Sequence, residues 1–398
     1  MAKSPIRIRM YNVGFGDCFL IFLPTARGEK KVAIDCGSLK NKEHTIGEIS
    51  DLLIEDVREA DGVARIDVLI MSHRHADHIS GYTNPKWSQV EVGEVWMPWL
   101  ESRDDPEAKA IQKRHRAAAL ALEAAVNKFA LDSQLADVAF NAKSNDDSLD
   151  VLHRGFAKRV KPGFFPKGKS VVEKIPSTAL PDIEVFVLGP PRDRGALNRP
   201  DPPPSQILLT GHREDGEGSE PEKFRPFPDD WEDEYVVGDF DTSEVDRAAA
   251  KSTMYELAAA ELDAELNNTS LVLLFRVGDD YLLFPGDAQW GPWELILNDE
   301  DAVALLRKVT FVKIGHHGSH NGTPKTLLED ILGTNNKKQG IVQAMISMTP
   351  YSKWKDIPHQ PILDMLTKRR FPFVISDKLQ DQAGFTRRED FWFELEIR

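Results

Sequence analysis

The sequence predicts a layered α/β fold, and three observations carry that expectation. Strand-like and helical patterns alternate in both halves of the chain. Ile66 to Met71 is an unbroken apolar run, as in a strand buried on both faces. Directly after it comes Ser72-His73-Arg74-His75-Ala76-Asp77-His78, at the strand end where α/β folds place their ligands.

The elements follow in order. Ile6 to Leu23 alternates and is rich in β-formers; Gly14 and Gly16 interrupt it where two strands meet at a tight bend. Lys31 to Asp35 is a further strand. Ile46, Ile49, Leu52, Leu53 and Val57 recur at helical spacing, so the opening third reads β-β-β-α-β. Glu107 to Ala130 predicts a long helix, Lys158 to Lys174 a basic loop, and Ile183 to Leu188 a strand. A helix is expected over Met254–Leu266, then a hairpin of Ser270–Val277 and Tyr281–Phe284 turning at Gly278-Asp279-Asp280. The remainder reads as a helix Trp293–Leu306, strands Val309–Ile314 and Ile341–Ile346, a helix Pro361–Lys368, and strands Phe371–Ile375 and Phe391–Ile397. The whole is expected to be one domain, 1–398, with a helical and basic insert at about 104–177 and an acidic, Pro-rich insert at about 193–250.

Composition narrows the classes. At 398 residues, 41% of them hydrophobic, the chain can bury a sizeable core. No apolar run approaches the roughly 20 residues needed to cross a bilayer, and the N-terminus lacks the pattern of a signal peptide. A cytoplasmic protein without membrane contact is expected. The two cysteines, Cys18 and Cys36, are expected to be reduced thiols, and two are too few for a cysteine-based zinc site. Any metal must therefore be held by His and carboxylates. The net charge of −14 argues against a broad nucleic-acid surface. A local one remains open: Lys158, Arg159 and Lys161, with Lys167 and Lys169, surround Phe164 and Phe165, and cations interleaved with aromatics suit a phosphate backbone and stacked bases. The acidic insert, Glu214 to Asp246, reads as a surface insertion, with a lid or a protein docking surface as alternatives.

The chemistry concentrates at residues 73–78. A tight loop can aim His73 and His75 at one metal, and Asp77 and His78 at a second beside it. Imidazoles and carboxylates suit zinc, manganese or iron, and such an ion lowers the pKa of a bound water towards about 7. Asp77 can bind metal and also handle a proton. Asp17, after the glycine bend, is either a turn carboxylate or a residue holding a ligand histidine.

This H-x-H-x-D-H pattern resembles the signature of the metallo-β-lactamase superfamily. The resemblance implies an αββα sandwich of two mixed β-sheets flanked by helices, with two divalent metal ions at one edge, zinc foremost and manganese the alternative. It further implies a carboxylate before the His loop, matched by Asp35 in Ile34-Asp35-Cys36-Gly37. A bridging carboxylate is matched by Asp287 in Phe284-Pro285-Gly286-Asp287, and a final histidine by His316 or His317 in Lys313-Ile314-Gly315-His316-His317-Gly318-Ser319. Of that pair, His316 is favoured because it comes first after the strand. A closer resemblance is to the hydrolase domain of ComEC-type DNA-uptake proteins. It is carried by Asn12-Val13-Gly14-Phe15-Gly16-Asp17-Cys18, by Asn267-Asn268-Thr269-Ser270-Leu271-Val272-Leu273 and by Lys313 through Ser319. In it Asn267 or Asn268 stands where many members have a third histidine on the first metal, and Lys313 matches a family lysine. His359 is read as a substrate contact or a polar residue at a helix start. His115, His153 and His212 fall in the inserts and are not favoured as ligands.

The function expected is a metal-dependent phosphodiesterase, most specifically a nuclease, using a metal-activated hydroxide. The alternatives are a lactonase, thioesterase or small phosphodiester hydrolase of the same fold, or a regulatory metal-binding protein without turnover.

Overall fold

Two mixed β-sheets pack face to face, and helices cover both outer surfaces. The computed structural model describes residues 4–41, 43–129, 145–208, 259–349, 357–377 and 383–398. The first six strands belong to one sheet: β1 (Ile6–Tyr11), β2 (Cys18–Thr25), β3 (Gly28–Cys36), β4 (Arg65–Ile70), β5 (Glu91–Pro98) and β6 (Gly163–Phe165). The next seven form the other: β7 (Glu173–Ile175), β8 (Glu184–Gly189), β9 (Val272–Val277), β10 (Asp280–Phe284), β11 (Phe311–Lys313), β12 (Gln343–Ile346) and β13 (Phe373–Ile375). The last two, β14 (Phe385–Arg388) and β15 (Trp392–Ile397), return to the first sheet beside β1. The strand orders are 14-15-1-2-3-4-5-6 and 13-12-11-10-9-8-7.

Each sheet is antiparallel on one side and parallel on the other. β3 to β6 run parallel in the first, and β10 to β13 in the second. Two sets of carboxyl ends therefore open on the same edge of the sandwich, which is where parallel strands present ligand sites.

The apolar runs are long because both strand faces are buried. Ile6, Ile8 and Met10 of β1 and Phe19 and Ile21 of β2 pack between the sheets with Leu273 and Phe275 of β9 and Phe284 of β10. The alternate residues lie under helices. Leu20 and Phe22 meet Ile49 and Leu53 of α1 (Ile46–Asp56), which starts at a Thr45–Glu48 capping box. Across the second sheet, Leu274 and Leu283 meet Trp293 and Ile296 of a helix Trp290–Leu297, Leu306 of a helix Glu300–Leu306 and Ile362 and Leu366 of a helix Gln360–Lys368.

Several sequence expectations shift. The single helix Trp293–Leu306 is two, because Asp299 turns out of the first and accepts from Ala302 N (2.8 Å) to cap the second. The basic stretch 158–174 is not all loop. Gly163–Phe165 adds a parallel edge strand to β5, and the region ends in β7. β5 itself was not expected, because Gly93 and Glu94 break its apolar pattern; Gly93 fits because a Cβ there would stand 2.6 Å from Asp67 O. The expected helix at 254–266 is described from residue 259, as a helix 259–267. In the 104–177 region lie the helices Pro106–Phe129 and Asp146–Arg154 as well as the edge strands β6 and β7. The acidic run Glu214–Asp246 lies outside the described residues. Cys18 and Cys36 face each other across β2 and β3 as buried free thiols. Among the described residues no helix is long and apolar enough to cross a membrane.

Phe275 is fully buried between the sheets and meets Phe284 edge-on at 6.0 Å. Phe275→Ala should therefore lower the unfolding free energy by about 3–5 kcal/mol. Urea unfolding would measure this, and a loss below about 1 kcal/mol would contradict the two-sided packing of β9.

Candidate metal centre

Backbone fit comes first. Asp17 N donates to Asp77 O (2.9 Å), and Gly37 N to Asp17 O (3.0 Å), so the glycine bend and the end of β3 clasp the His loop. Side chains would not fit between them. A Cβ on Gly16 would lie 2.4 Å from Asp77 O, and one on Gly37 would lie 2.4 Å from the backbone of His78. Asp35, at φ 56°, turns its carboxylate inward. It accepts from Ser72 N (2.7 Å), Ser72 Oγ (2.6 Å) and His78 Nδ1 (2.8 Å).

Four buried side chains from three loops then converge. The candidate ligand atoms of Asp77, His78, Asp287 and His317 all lie within 4.8 Å of one another. His78 Nε2 is 3.0 Å from Asp287 Oδ2; His317 Nε2 is 3.1 Å from the same oxygen and 3.2 Å from Asp77 Oδ2. Asp77 and His78 follow β4, Asp287 follows β10, and His317 follows β11, so both parallel halves contribute. Beside this cluster His73 Nε2 faces His75 Nδ1 at 3.1 Å, and the His73 and His78 rings lie 4.1 Å apart. The donor set fits a divalent metal. Its carboxylate oxygens and imidazole nitrogens are buried and close enough together to share one ion, and they are donors that divalent metals take.

Charge balance in this dry cluster is tight. Burial opposes charge on His317, but Asp287 and Asp77 outweigh it and raise the ring to about 10. His78 is likewise raised well above its ordinary value, by Asp287, Asp77 and Asp35 against burial. Asp77 and Asp287 are both lowered despite burial, Asp77 by His78 and His317, and Asp287 by Lys313 and the same two rings. His73 goes the other way: burial, with His78 and His75, holds it well below its usual value, and burial brings His75 to about 4. Lys313 is wholly buried in β11 and raised against burial by Asp17 and Asp287, which it touches at 2.5 and 3.0 Å. It ties the glycine bend to the carboxylate after β10.

Other candidate residues fall in different places. Sequence order favoured His316, but it is His317 that joins the cluster. Both have left-handed backbone, φ 45° and 52°, which swings the first ring out towards Ser319 Oγ (2.7 Å) and Asn321 Oδ1 (3.0 Å) and the second one in. Asn268 is a structural hub: it donates to Leu197 O (2.9 Å) and accepts from Gln289 N (2.9 Å). Asn267 donates to Asp263 Oδ2 (3.1 Å), and its amide lies 3.5 Å from His316 Nε2. His359 joins the loop through its N–H to Gly318 O (2.8 Å), but its ring bonds Leu208 O (2.9 Å) rather than entering the cluster.

The start of the basic stretch lies elsewhere. Lys158 pairs with Glu91 (2.9 Å), opposite Arg65 at the start of β4 and so at the far end of that strand from His73. Arg159 and Lys161 are exposed along the outer edge of β5. His115 pairs with Glu265 (3.1 Å), His153 lies beside Phe164, and His212 is outside the described residues.

Sequence reasoning missed Ser72, Ser347 and Asp263. Ser347 O accepts from His317 Nδ1 (2.8 Å) through a carbonyl, which no sequence pattern marks. Asp263 lies 3.7 Å from His75 Nε2, and burial raises its carboxyl to about 6 although 31% of the side chain is exposed. It stands one helical turn before Asn267, the one signal that could have found it.

No family model matches the sequence, and no curated protein matches it. Among solved structures, a mutant of the CmlA beta-hydroxylase is similar at 12% identity and a TM-score of 0.37. That likeness covers 93% of this chain and 51% of the other, so the chain spans about half the length of the protein it matches. The αββα order is carried by the two sheets and four layers themselves.

Two outcomes follow. His317 is raised to about 10 from an ordinary value of 6.5. The stabilisation it gives is thus fully present below about pH 6.5 and lost as pH rises through about 10. The melting temperature of chelator-treated protein should fall across pH 7 to 10, and saturating zinc should flatten the fall by taking the place of the protons. Equal slopes with and without zinc would refute this. Separately, Lys313→Met leaves Asp17 and Asp287 without their shared cation and should cost about 3–5 kcal/mol in denaturant unfolding of the metal-free protein. A loss within about 0.5 kcal/mol would show that the lysine does not offset those charges.

Proposed function

We propose that this chain is a metal-dependent hydrolase acting on phosphodiester bonds. One observation carries the reading: a buried cluster of Asp77, His78, Asp287 and His317, with the facing nitrogens of His73 and His75 beside it. The first four residues would hold one divalent ion, and His73 and His75, sharing Asp287, a second. Zinc is preferred, with manganese the alternative, because the donors are imidazoles and carboxylates without thiolate. Ions held this way lower the pKa of water towards about 7 and withdraw charge from phosphoryl oxygens.

The chain's own residues set the geometry. Asp35 and the Ser347 carbonyl take the outer nitrogens of His78 and His317, which fixes the tautomers so that each Nε2 faces the centre. Lys313 fixes Asp287. Asp77 offers the centre a carboxylate that stays ionised at neutral pH. His316, at the edge of the cluster, is placed to contact a substrate. A nuclease of the ComEC-like kind is the particular form suggested by the sequence motifs.

A second reading, an esterase-type hydrolase of small lactones or thioesters, is favoured by the position of Lys158 at the remote end of β4 and by the net charge of −14. Neither draws a long polyanion to the site.

The two readings part on a substrate panel. Protein loaded with zinc or manganese would be given single- and double-stranded DNA, RNA, bis(p-nitrophenyl) phosphate, lactones and thioesters, beside His78→Ala. Phosphodiester turnover that falls on the order of 100-fold or more in the variant is expected. Turnover confined to lactones or thioesters would replace the first reading with the second, and equal activity in both proteins would reject both.

A further inference from the structure

Each histidine of the centre but one is held at both ring nitrogens. His78 offers Nε2 to Asp287 and is fixed through Nδ1 by Asp35 at 2.8 Å. His317 offers Nε2 to Asp77 and Asp287 and is fixed through Nδ1 by the Ser347 carbonyl at 2.8 Å. His73 turns Nε2 to the centre and lies with Nδ1 3.1 Å from Ser72 Oγ. His75 is the exception. Its Nδ1 faces His73 Nε2, while its Nε2 is buried and has no hydrogen-bond partner. A buried ring N–H without an acceptor costs about 1–3 kcal/mol, so a carboxylate beside it demands an explanation.

That carboxylate belongs to Asp263, whose Oδ1 lies 3.7 Å from His75 Nε2. Its other oxygen accepts from Asn267 Nδ2 at 3.1 Å, one turn along the same helix, so the carboxyl group is aimed before it engages. The helix is itself held from outside: Leu262 and Leu266 pack on Ala119 of the helix Pro106–Phe129. We propose that Asp263 is the anchor of His75, accepting its Nε2–H and so leaving Nδ1 unprotonated toward the point it shares with His73. The gap of 3.7 Å is longer than a hydrogen bond and closes by a fraction of an ångström of side-chain rotation once Nδ1 is engaged. Asp263 is then a positioning residue that acts through His75, and Asn267 serves the centre by holding Asp263. This inference rests on the metal-centre reading above.

Metal titration tests it without recourse to activity. Zinc binding to the metal-free full chain would be followed by calorimetry and by competition with a chromogenic chelator. The proteins compared are wild type, Asp263→Ala, Asp263→Glu, His75→Ala and the double variant of 75 and 263. The wild type should bind two ions. Asp263→Ala should keep one at wild-type affinity and weaken the other about 10- to 100-fold, at the same binding step that His75→Ala affects. The double variant should be no worse than His75→Ala, because both changes remove one interaction chain. Asp263→Glu, whose longer side chain still reaches, should recover most of the affinity. Thermal melts of the metal-free wild type, Asp263→Ala and Asp263→Glu should superimpose, because Asp263 is partly exposed.

Wild-type affinity at both steps in Asp263→Ala overturns the anchor while leaving the metal centre standing. Equal weakening of both ions, or additive losses in the double variant, overturns it as well. Failure of the wild type to bind any zinc overturns the metal-centre reading itself and is recognised by the His75→Ala and wild-type titrations being identical.

Discussion

The carboxylates of Asp17, Asp35, Asp77 and Asp287 are almost completely removed from water at one edge of a sandwich of two sheets. Buried charge is costly unless it is paired and hydrogen-bonded, and the surrounding architecture can be understood from that requirement. Lys313 touches two of the four, the His78 and His317 rings touch the same group, and Ser72 spends its N–H and hydroxyl on Asp35. In the absence of metal, the protons on the two rings supply positive charge. A divalent cation can supply it instead, with the rings then neutral, so the same pocket suits either occupant.

The fold makes such a concentration of charge possible by topology. The parallel half of each sheet ends on the same edge, and the end of β3 and the loops after β4, β10, β11 and β12 all deliver polar groups there. The antiparallel halves contribute none of the four clustered side chains. They contribute rigidity, through Met10, Phe19, Leu273 and Phe275 packed between the sheets. The site is thus carried by strand ends and by glycines that let backbones touch, with Gly16 and Gly37 pressed against the loop that carries Asp77 and His78.

Much of this was legible in the sequence. An apolar run ending in three histidines and an aspartate marks a strand end with candidate ligands, and Asp35 and Asp287 each stand at the end of a β-rich stretch. What remained hidden depended on backbone angles and on contacts between distant segments. Choosing between His316 and His317 required two successive left-handed residues, which nothing in the histidines' identity announces. Asp263 looked like one acidic residue among many in a helix, and only the packing of that helix beside His75 distinguishes it. The basic stretch around Lys158 had the right composition for a phosphate groove, yet composition does not say to which end of a strand a loop returns. β5 was missed for a simpler reason: a glycine and a glutamate in its middle hide a strand whose second half, Val95 to Met97, is fully buried.

The pairing of β1 with β15 has a kinetic consequence. Ile6 sits opposite Ile397, and Arg9 Nε bonds Glu394 Oε2 at 2.9 Å across a separation of 385 residues. During synthesis at about 5–20 residues per second, β1 leaves the ribosome on the order of tens of seconds before its neighbour exists. Through that interval one flank of β1 is a row of unsatisfied amides and carbonyls, open to pairing with the wrong strand. The first sheet, and the glycine bend that hangs from β1, can reach their final form only after translation has passed β15.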